Sequence, residues 1–352
     1  MKHRDRFRLG ASSLLIYFLV SLGFISGLWA QEPFYKGKTI RIIVGFTPGG
    51  LNDRWARFYA RYLPKYIAGG PEFIVQNMPG AGTKIAANYV YSVAKGDGLT
   101  LGIFLSGIYL DQLVGRKEVQ YDVRKFGWIG SPAPESIILY MRADAPYRSV
   151  GDIVKAQQPP RCGSTGTTSS DYILAKVLEL ALGAKINMVV GYPGGPEIDL
   201  AVEKGEVHCR GHSLSSHLGR EPFDSWHKKG FDRHLVQTGR KRDARAADTP
   251  TIYELMEELK TPDIARRVVQ VMLAGGEIGR SLVVSPGTPQ ERLKLLREAY
   301  SKMLKDPEFL DEAKKQKLDV DPSTGEELEA LVKQIIEQPK EVIDRVKELA
   351  GN

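Results

Sequence analysis

The sequence predicts an α/β protein of two doubly wound lobes, each a mostly parallel sheet with helices on both faces. Three observations carry this reading. Between residues 39 and 107, short apolar runs alternate with segments of helical period across glycine-rich turns. The same order of strand, polar glycine-rich loop and helix recurs from Arg161 to Arg210, without the identity that would make it an internal repeat. Between the two sets, Pro132 and Pro134 separate the apolar runs Trp128-Ile129 and Ile137 to Met141, which reads as a crossing from one lobe to the other. A chain of 352 residues with 42% apolar content is long enough for two cores.

The N-terminus reads as a targeting signal. Lys2, Arg4, Arg6 and Arg8 form a basic start, Ala11 to Leu28 is almost uninterrupted apolar, and cleavage is expected after Ala30, so residues 1–30 are a signal peptide. The competing reading is an uncleaved anchor helix. No cysteine lies near the cut, which argues against a lipoprotein, and the expected location is periplasmic. The formal charge is +7; residues 1–30 hold four Lys/Arg and one Asp, or +3, which leaves +4 on the mature chain. Basic and acidic residues are interspersed, so no nucleic-acid surface is expected, and a mild positive excess favours small anionic solutes.

Each element has a local reason. Ile40 to Val44 is an apolar strand, and Trp55, Phe58, Tyr59, Tyr62 and Leu63 mark a helix. The turn between them is Phe46-Thr47-Pro48-Gly49-Gly50-Leu51-Asn52-Asp53. Asn52 is the capping candidate and Asp53 the acidic first turn. A helix start of this kind offers backbone N–H groups to an anion. It is not a P-loop, because no Gly-Lys-Ser/Thr follows, and G-x-G-x-x-G is absent. Glu72 to Gln76 is the second strand, residues 77–82 a turn, and Ile85, Tyr89 and Val93 a helix. Leu99 to Leu105 is the third strand, ending at Ser106-Gly107. Ligands of such sheets sit beyond the carboxyl ends of the strands, so the three loops should converge.

In the second set, Arg161 to Ser164 leads into a hydroxyl-rich loop, Thr165 to Ser170, and a helix through Ile173, Leu174, Val177, Leu178 and Ala181. That loop is the best binding candidate, although an over-supplied helix cap is the plainer reading. Ile186 to Val190 is the next strand, followed by Gly191-Tyr192-Pro193-Gly194-Gly195 and a helix through Ile198 and Val202. Val207 to Arg210 reads as a short strand. From Thr288 onwards the tail is helical, broken at residues 319–325 and at Pro339, and should cover a sheet.

Little points to chemistry. His208, Cys209, His212 and His217 suggest a metal cluster, but Gly211 and the strand end spoil the helical i, i+4 spacing, so no metal site is expected. Neither G-x-S-x-G nor H-E-x-x-H occurs, and no catalytic residue or cofactor is assigned. An exported hydrolase acting on a small anionic substrate remains the alternative class. Cys162 and Cys209 are either a disulfide, as an oxidising compartment permits, or two buried thiols.

The motifs taken together resemble the Bug family, the exported solute-binding receptors of tripartite tricarboxylate transporters. The resemblance rests on Tyr35 to Arg41, Phe46 to Gly50 with Asp53, Asn77 to Gly82, Gly96 to Thr100, the Thr165 to Ser170 loop, Gly191 to Gly195, Pro250 to Glu254 and Pro286 to Pro289. It implies a type II periplasmic binding protein-like fold with two crossover segments, with lobe 1 formed by residues 34–132 and 256–352 and lobe 2 by residues 133–255. It implies a monomer that closes on a small carboxylate and delivers it to the membrane permease subunits of a tripartite transporter, without chemistry. The matching positions make Phe46, Gly49, Gly50, Asn52, Asp53, Gly80, Ala81 and Ser106 ligand candidates in lobe 1. In lobe 2 they are Thr165, Thr167, Thr168, Ser169, Tyr192 and Arg210. Arg210, following the strand, should reach the mouth of the cleft and grip a carboxylate, or else pair with a local acid such as Asp171. Asp171 stands where many relatives have His, His208 where relatives have Asp, and residues 265–281 depart from the usual Trp-containing pattern.

Overall fold

The computed structural model describes residues 32–166, 169–192 and 195–350. The expected targeting segment and the candidates Thr167 and Thr168 lie outside the described residues. None of the described helices is long and apolar enough to cross a membrane.

Two sheets form. The first has six strands in the order β11-β4-β10-β3-β1-β2: β1 Thr39–Val44, β2 Glu72–Asn77, β3 Thr100–Ile103, β4 Gly127–Ser131, β10 Leu282–Val284 and β11 Ser323–Thr324. The second has five in the order β7-β6-β8-β5-β9: β5 Ile137–Arg142, β6 Arg161–Ser164, β7 Asn187–Val190, β8 Cys209–Ser213 and β9 Asp232–Gln237. β1 runs parallel to β2 and β3, and β6 parallel to β7 and β8. Apart from the two-residue β11, which pairs antiparallel with β4, the antiparallel members are the strands that arrive from the other lobe. β5 follows the crossing 132–136 and lies between β8 and β9; β10 follows the second crossing and lies between β3 and β4.

The second crossing, residues 238–281, ends in the helix Asp263–Ile278. Its apolar stripe, Val268, Val269, Val271 and Met272, joins one continuous core with Ile43, Phe104 and Phe126 of the first lobe and Leu139, Leu174 and Leu178 of the second. The helix is also fixed by hydrogen bonds just before its start and at its middle. The hydroxyl of Thr261, just before it, donates to Ala181 O (2.7 Å), and Tyr109 Oη donates to Val271 O (2.6 Å). The two crossings touch: Glu135 N donates to Gly276 O (2.7 Å) and Arg280 Nη2 to Glu135 Oε1 (2.9 Å). Gly279 permits this, because it has a φ of +57° and a Cβ there would lie 2.4 Å from Ala133 O.

The other face of sheet 1 carries the helix Leu51–Tyr62, whose aromatic residues pack against the tail. Phe58 stacks on Phe309 with ring centroids 4.5 Å apart, and Tyr59 lies against Tyr300. Burying a side chain of this size contributes about 1.5–3 kcal/mol. The tail forms the helices Gln290–Met303, Pro307–Lys315, Gly325–Ile336 and Lys340–Ala350, broken where the sequence predicts.

Two local expectations are corrected. Asn52 is not the helix cap: the helix begins at Leu51, its N-cap is Gly50, and no side chain caps it. The later strand is Cys209–Ser213, not 207–210. Val207 is buried but precedes the strand, and pairing with β5 (Met141 opposite Cys209, Ile137 opposite Ser213) sets the register despite the polar sequence. His208 therefore stands before the strand's start. The cysteines are resolved in favour of the disulfide: Cys162 and Cys209 are direct neighbours on β6 and β8, with Cα atoms 4.5 Å apart.

Candidate functional site

The first-lobe loops converge beyond the carboxyl ends of β1, β2 and β3. Thr83 packs on Gly45, where a Cβ would lie 2.6 Å from the Thr83 Cβ, and its hydroxyl accepts from Leu105 N (3.0 Å). Asn77 Nδ2 donates to Phe46 O (2.9 Å) and to Asp53 Oδ1 (2.9 Å). Asp53 is the centre of this network. Its buried carboxylate also accepts from Gly49 N (2.8 Å) and from Arg57 Nε and Nη2 (3.0 and 3.1 Å). Burial alone would raise its pKa, but the bonds from Arg57, Gly49 and Asn77 outweigh that and hold the group below the ordinary carboxylate range. Asp53 thus braces the turn internally. Gly49, Gly50, Gly80 and Ala81 are exposed on the rim, and Asn52 is half-buried in the first helical turn. The first amides of that helix have no partner within the helix. Ser106 lies against Gly275, at the end of the crossing helix.

The second-lobe loop is organised around Asp171. The hydroxyls of Ser164 (2.8 Å) and Ser169 donate to its Oδ1, and the two hydroxyls meet at 2.7 Å. Thr165 is exposed beside them, and the Tyr192 ring packs on Gly163. Arg210 is the second residue of β8, opposite Tyr140, rather than beyond the strand's end. Its Nη1 donates to Asp199 Oδ1 (2.6 Å) and Gly195 O (3.2 Å), and its Nε lies 3.8 Å from Asp171 Oδ2. Tyr140 Oη also donates to Asp199 (2.8 Å). The guanidinium therefore serves two second-lobe carboxylates and ties the Ser164 to Asp171 loop to the helix Gly195–Lys204.

Across the crossings the two lobes face each other. Leu51 and Trp55, at the start of the helix after β1, line a recess together with Ser213 at the carboxyl end of β8, Ala133 and Pro134 of the first crossing, and Arg280 near the end of the second. Ser215, Ser216, Gly219, Arg220, Lys317, Leu318 and the acidic Asp319 complete its wall, and none of the described ligand candidates expected from the sequence lines it. Loop to loop, Lys317 Nζ donates to Gly219 O (3.0 Å), and Asp319 accepts from Arg245 Nη2 (3.1 Å) and from Ser215. Sequence reading missed these residues. The available signal was the run Ser213-Leu214-Ser215-Ser216, a polar strand-to-helix loop like the others, hidden by placing the strand too early.

The profile of the Tripartite tricarboxylate transporter family receptor matches residues 57–347, and the chain belongs to that family. A curated relative, the UPF0065 protein in gbd 5'region of Cupriavidus necator, is 25% identical over 324 residues, covering 90% of each chain. A TctC solute-binding protein from Polaromonas superposes with a TM-score of 0.71 at 22% identity, over 90% of this chain and 98% of that one. R. palustris Rpa4515 with adipate gives 0.59 at 22% identity, over 89% and 97%. MatC from Rhodopseudomonas palustris with bound malate gives 0.56 at 20% identity, over 89% and 99%. The family is one of receptors, not enzymes, and the structural neighbours share the two-lobe fold.

Proposed function

We propose that this receptor captures a small carboxylate, foremost a dicarboxylate, between its lobes and delivers it from the periplasm to the permease subunits of a tripartite tricarboxylate-type transporter. One observation carries the reading: the carboxyl ends of parallel strands from both sheets, represented by Leu51 and Ser213, face each other across one recess whose wall includes Arg220, Arg280 and Lys317. Adipate and malate in two structural neighbours fit this chemistry. The ligand contacts proposed are the amides and side chains of Phe46 to Asn52, of which Leu51 lines the recess, with Gly80, Ala81 and Ser106 on the same side. Thr165 to Ser169 and Tyr192 hold the other. Asp53 and Arg210 act through the loops they brace. Four charge-assisted hydrogen bonds at roughly 2 kcal/mol each give about 8 kcal/mol gross, near a micromolar dissociation constant.

The test is calorimetry and thermal shift on the mature protein with adipate, malate, neutral sugars and cationic amines, together with mass spectrometry of released ligand. A carboxylate should bind, raise the melting temperature and return unchanged. Stabilisation by sugars or amines alone would refute the reading, and return of a hydrolysed product would favour a hydrolase.

A further inference from the structure

The β9 side of sheet 2 holds a cluster of a different kind. His217 ends the short helix Leu214–His217, and Asp232 and His234 stand two apart on β9, so their side chains share one face. One potential ligand atom from each of the three lies within 4.8 Å of the others. His217 Nε2 and Asp232 Oδ2 are 2.7 Å apart, and His234 Nε2 is 3.8 Å from the same oxygen. His227, from the helix Phe223–Lys228, stacks on His234 with ring centroids 4.1 Å apart and brings Nδ1 to 3.6 Å from Asp232 Oδ1.

Burial makes this cluster unusual. The side chains of His217 and Asp232 are wholly buried and that of His234 is 3% exposed. Within it, His217 Nδ1, Asp232 Oδ1 and His234 Nε2 have no hydrogen-bond partner among the described residues. A plain His217–Asp232 pair accounts for one nitrogen and one oxygen and leaves the inward atoms of His234 and Asp232 orphaned, which is costly in a protein interior. Two imidazole nitrogens and a carboxylate oxygen at these spacings match a set that ligates a common ion at about 2.0–2.2 Å. Imidazole-rich sets select zinc-class transition ions over magnesium or calcium, which take oxygen. His227, 46% exposed, supplies a fourth nitrogen at the rim and a path for entry.

We propose that His217, Asp232 and His234, with His227 at the rim, bind one zinc-class divalent cation that clamps the two short helices to β9. Ligation through His217 Nε2 needs the tautomer with the ring proton on Nδ1, so the proton between His217 and Asp232 Oδ2 moves to that unpartnered nitrogen. The site is formed by lobe 2 alone and does not depend on the reading of the interlobe recess.

The experiment uses the untagged mature protein, stripped with EDTA, dialysed free of chelator and titrated with zinc chloride. Expected are one zinc per chain by elemental analysis, a one-site heat of binding, and a melting temperature raised by several degrees. Magnesium and calcium at equal concentration should raise it by less than one degree. His234→Gln should weaken zinc binding more than tenfold, and the surface variant His227→Gln, which leaves the buried core untouched, at least threefold. Failure of the wild type to take up zinc, cobalt or nickel overturns the site. So does zinc binding that persists at wild-type strength in both variants.

Discussion

Each lobe places an aspartate in the first turn of a helix that follows a glycine-containing loop, yet the two aspartates live differently. Asp53 in lobe 1 has more donors than it needs: Asn77, Gly49 and a two-pronged Arg57 all converge on one carboxylate. In lobe 2, Asp171 and Asp199 share a single guanidinium, and Arg210 keeps a buried Nε without a partner. The first loop is therefore satisfied locally, charge included, while the second adds to its hydroxyl and amide bonds one shared cation whose loss leaves both acids without a counter-charge. Neither first-turn aspartate is exposed; the cations in the wall of the recess, Arg220, Arg280 and Lys317, are other residues.

The largest expected effect tests the lobe-2 side. Arg210→Ala leaves the buried Asp171 and the half-buried Asp199 without their cation and should destabilise the protein by about 3–5 kcal/mol, read from urea midpoints. Arg210→Lys should recover part of this, because an ammonium cannot reach both acids as a guanidinium does. An alanine variant as stable as wild type would dissolve the contrast between the lobes.

The lobe-1 side predicts a smaller, pH-dependent effect. Asp53→Asn removes the charge from several hydrogen bonds, for a loss of about 1.5–3 kcal/mol at neutral pH. The folded pKa of Asp53 lies below its ordinary value of 3.8, so its contribution is present above that value and is lost as the pH falls through the folded pKa. The stability difference between wild type and Asp53→Asn should thus be constant above about pH 5 and shrink in acid. A difference independent of pH would mean that the charge is not what braces the turn.

The smallest effect separates capping from contact. Because Gly50 is the cap, Asn52→Ala should change stability by less than about 0.5 kcal/mol, whereas loss of a true cap would cost about 1 kcal/mol. A drop in carboxylate affinity without a drop in stability would place Asn52 at the ligand.

The sequence alone determined the order of the loops and much of the first lobe. Ile40 to Val44, the glycine turn and the aromatic stripe from Trp55 to Tyr62 each announce themselves within a few residues, because strand, turn and helix propensities are local. The resemblance carried by those loops anticipated the two-lobe receptor fold for the same reason. Tertiary structure decided what depends on distant partners. The polar run Cys209–Ser213 becomes a strand because β5 and β6 offer it hydrogen bonds on both sides, and that moves Arg210 off the strand end. The helix Asp263–Ile278 belongs to both lobes because its apolar stripe finds a core in each. His217 meets Asp232 and His234 only once β9 lies against the helices before it. Backbone register and side-chain convergence are set by pairing across the chain, and no local window of residues contains that information.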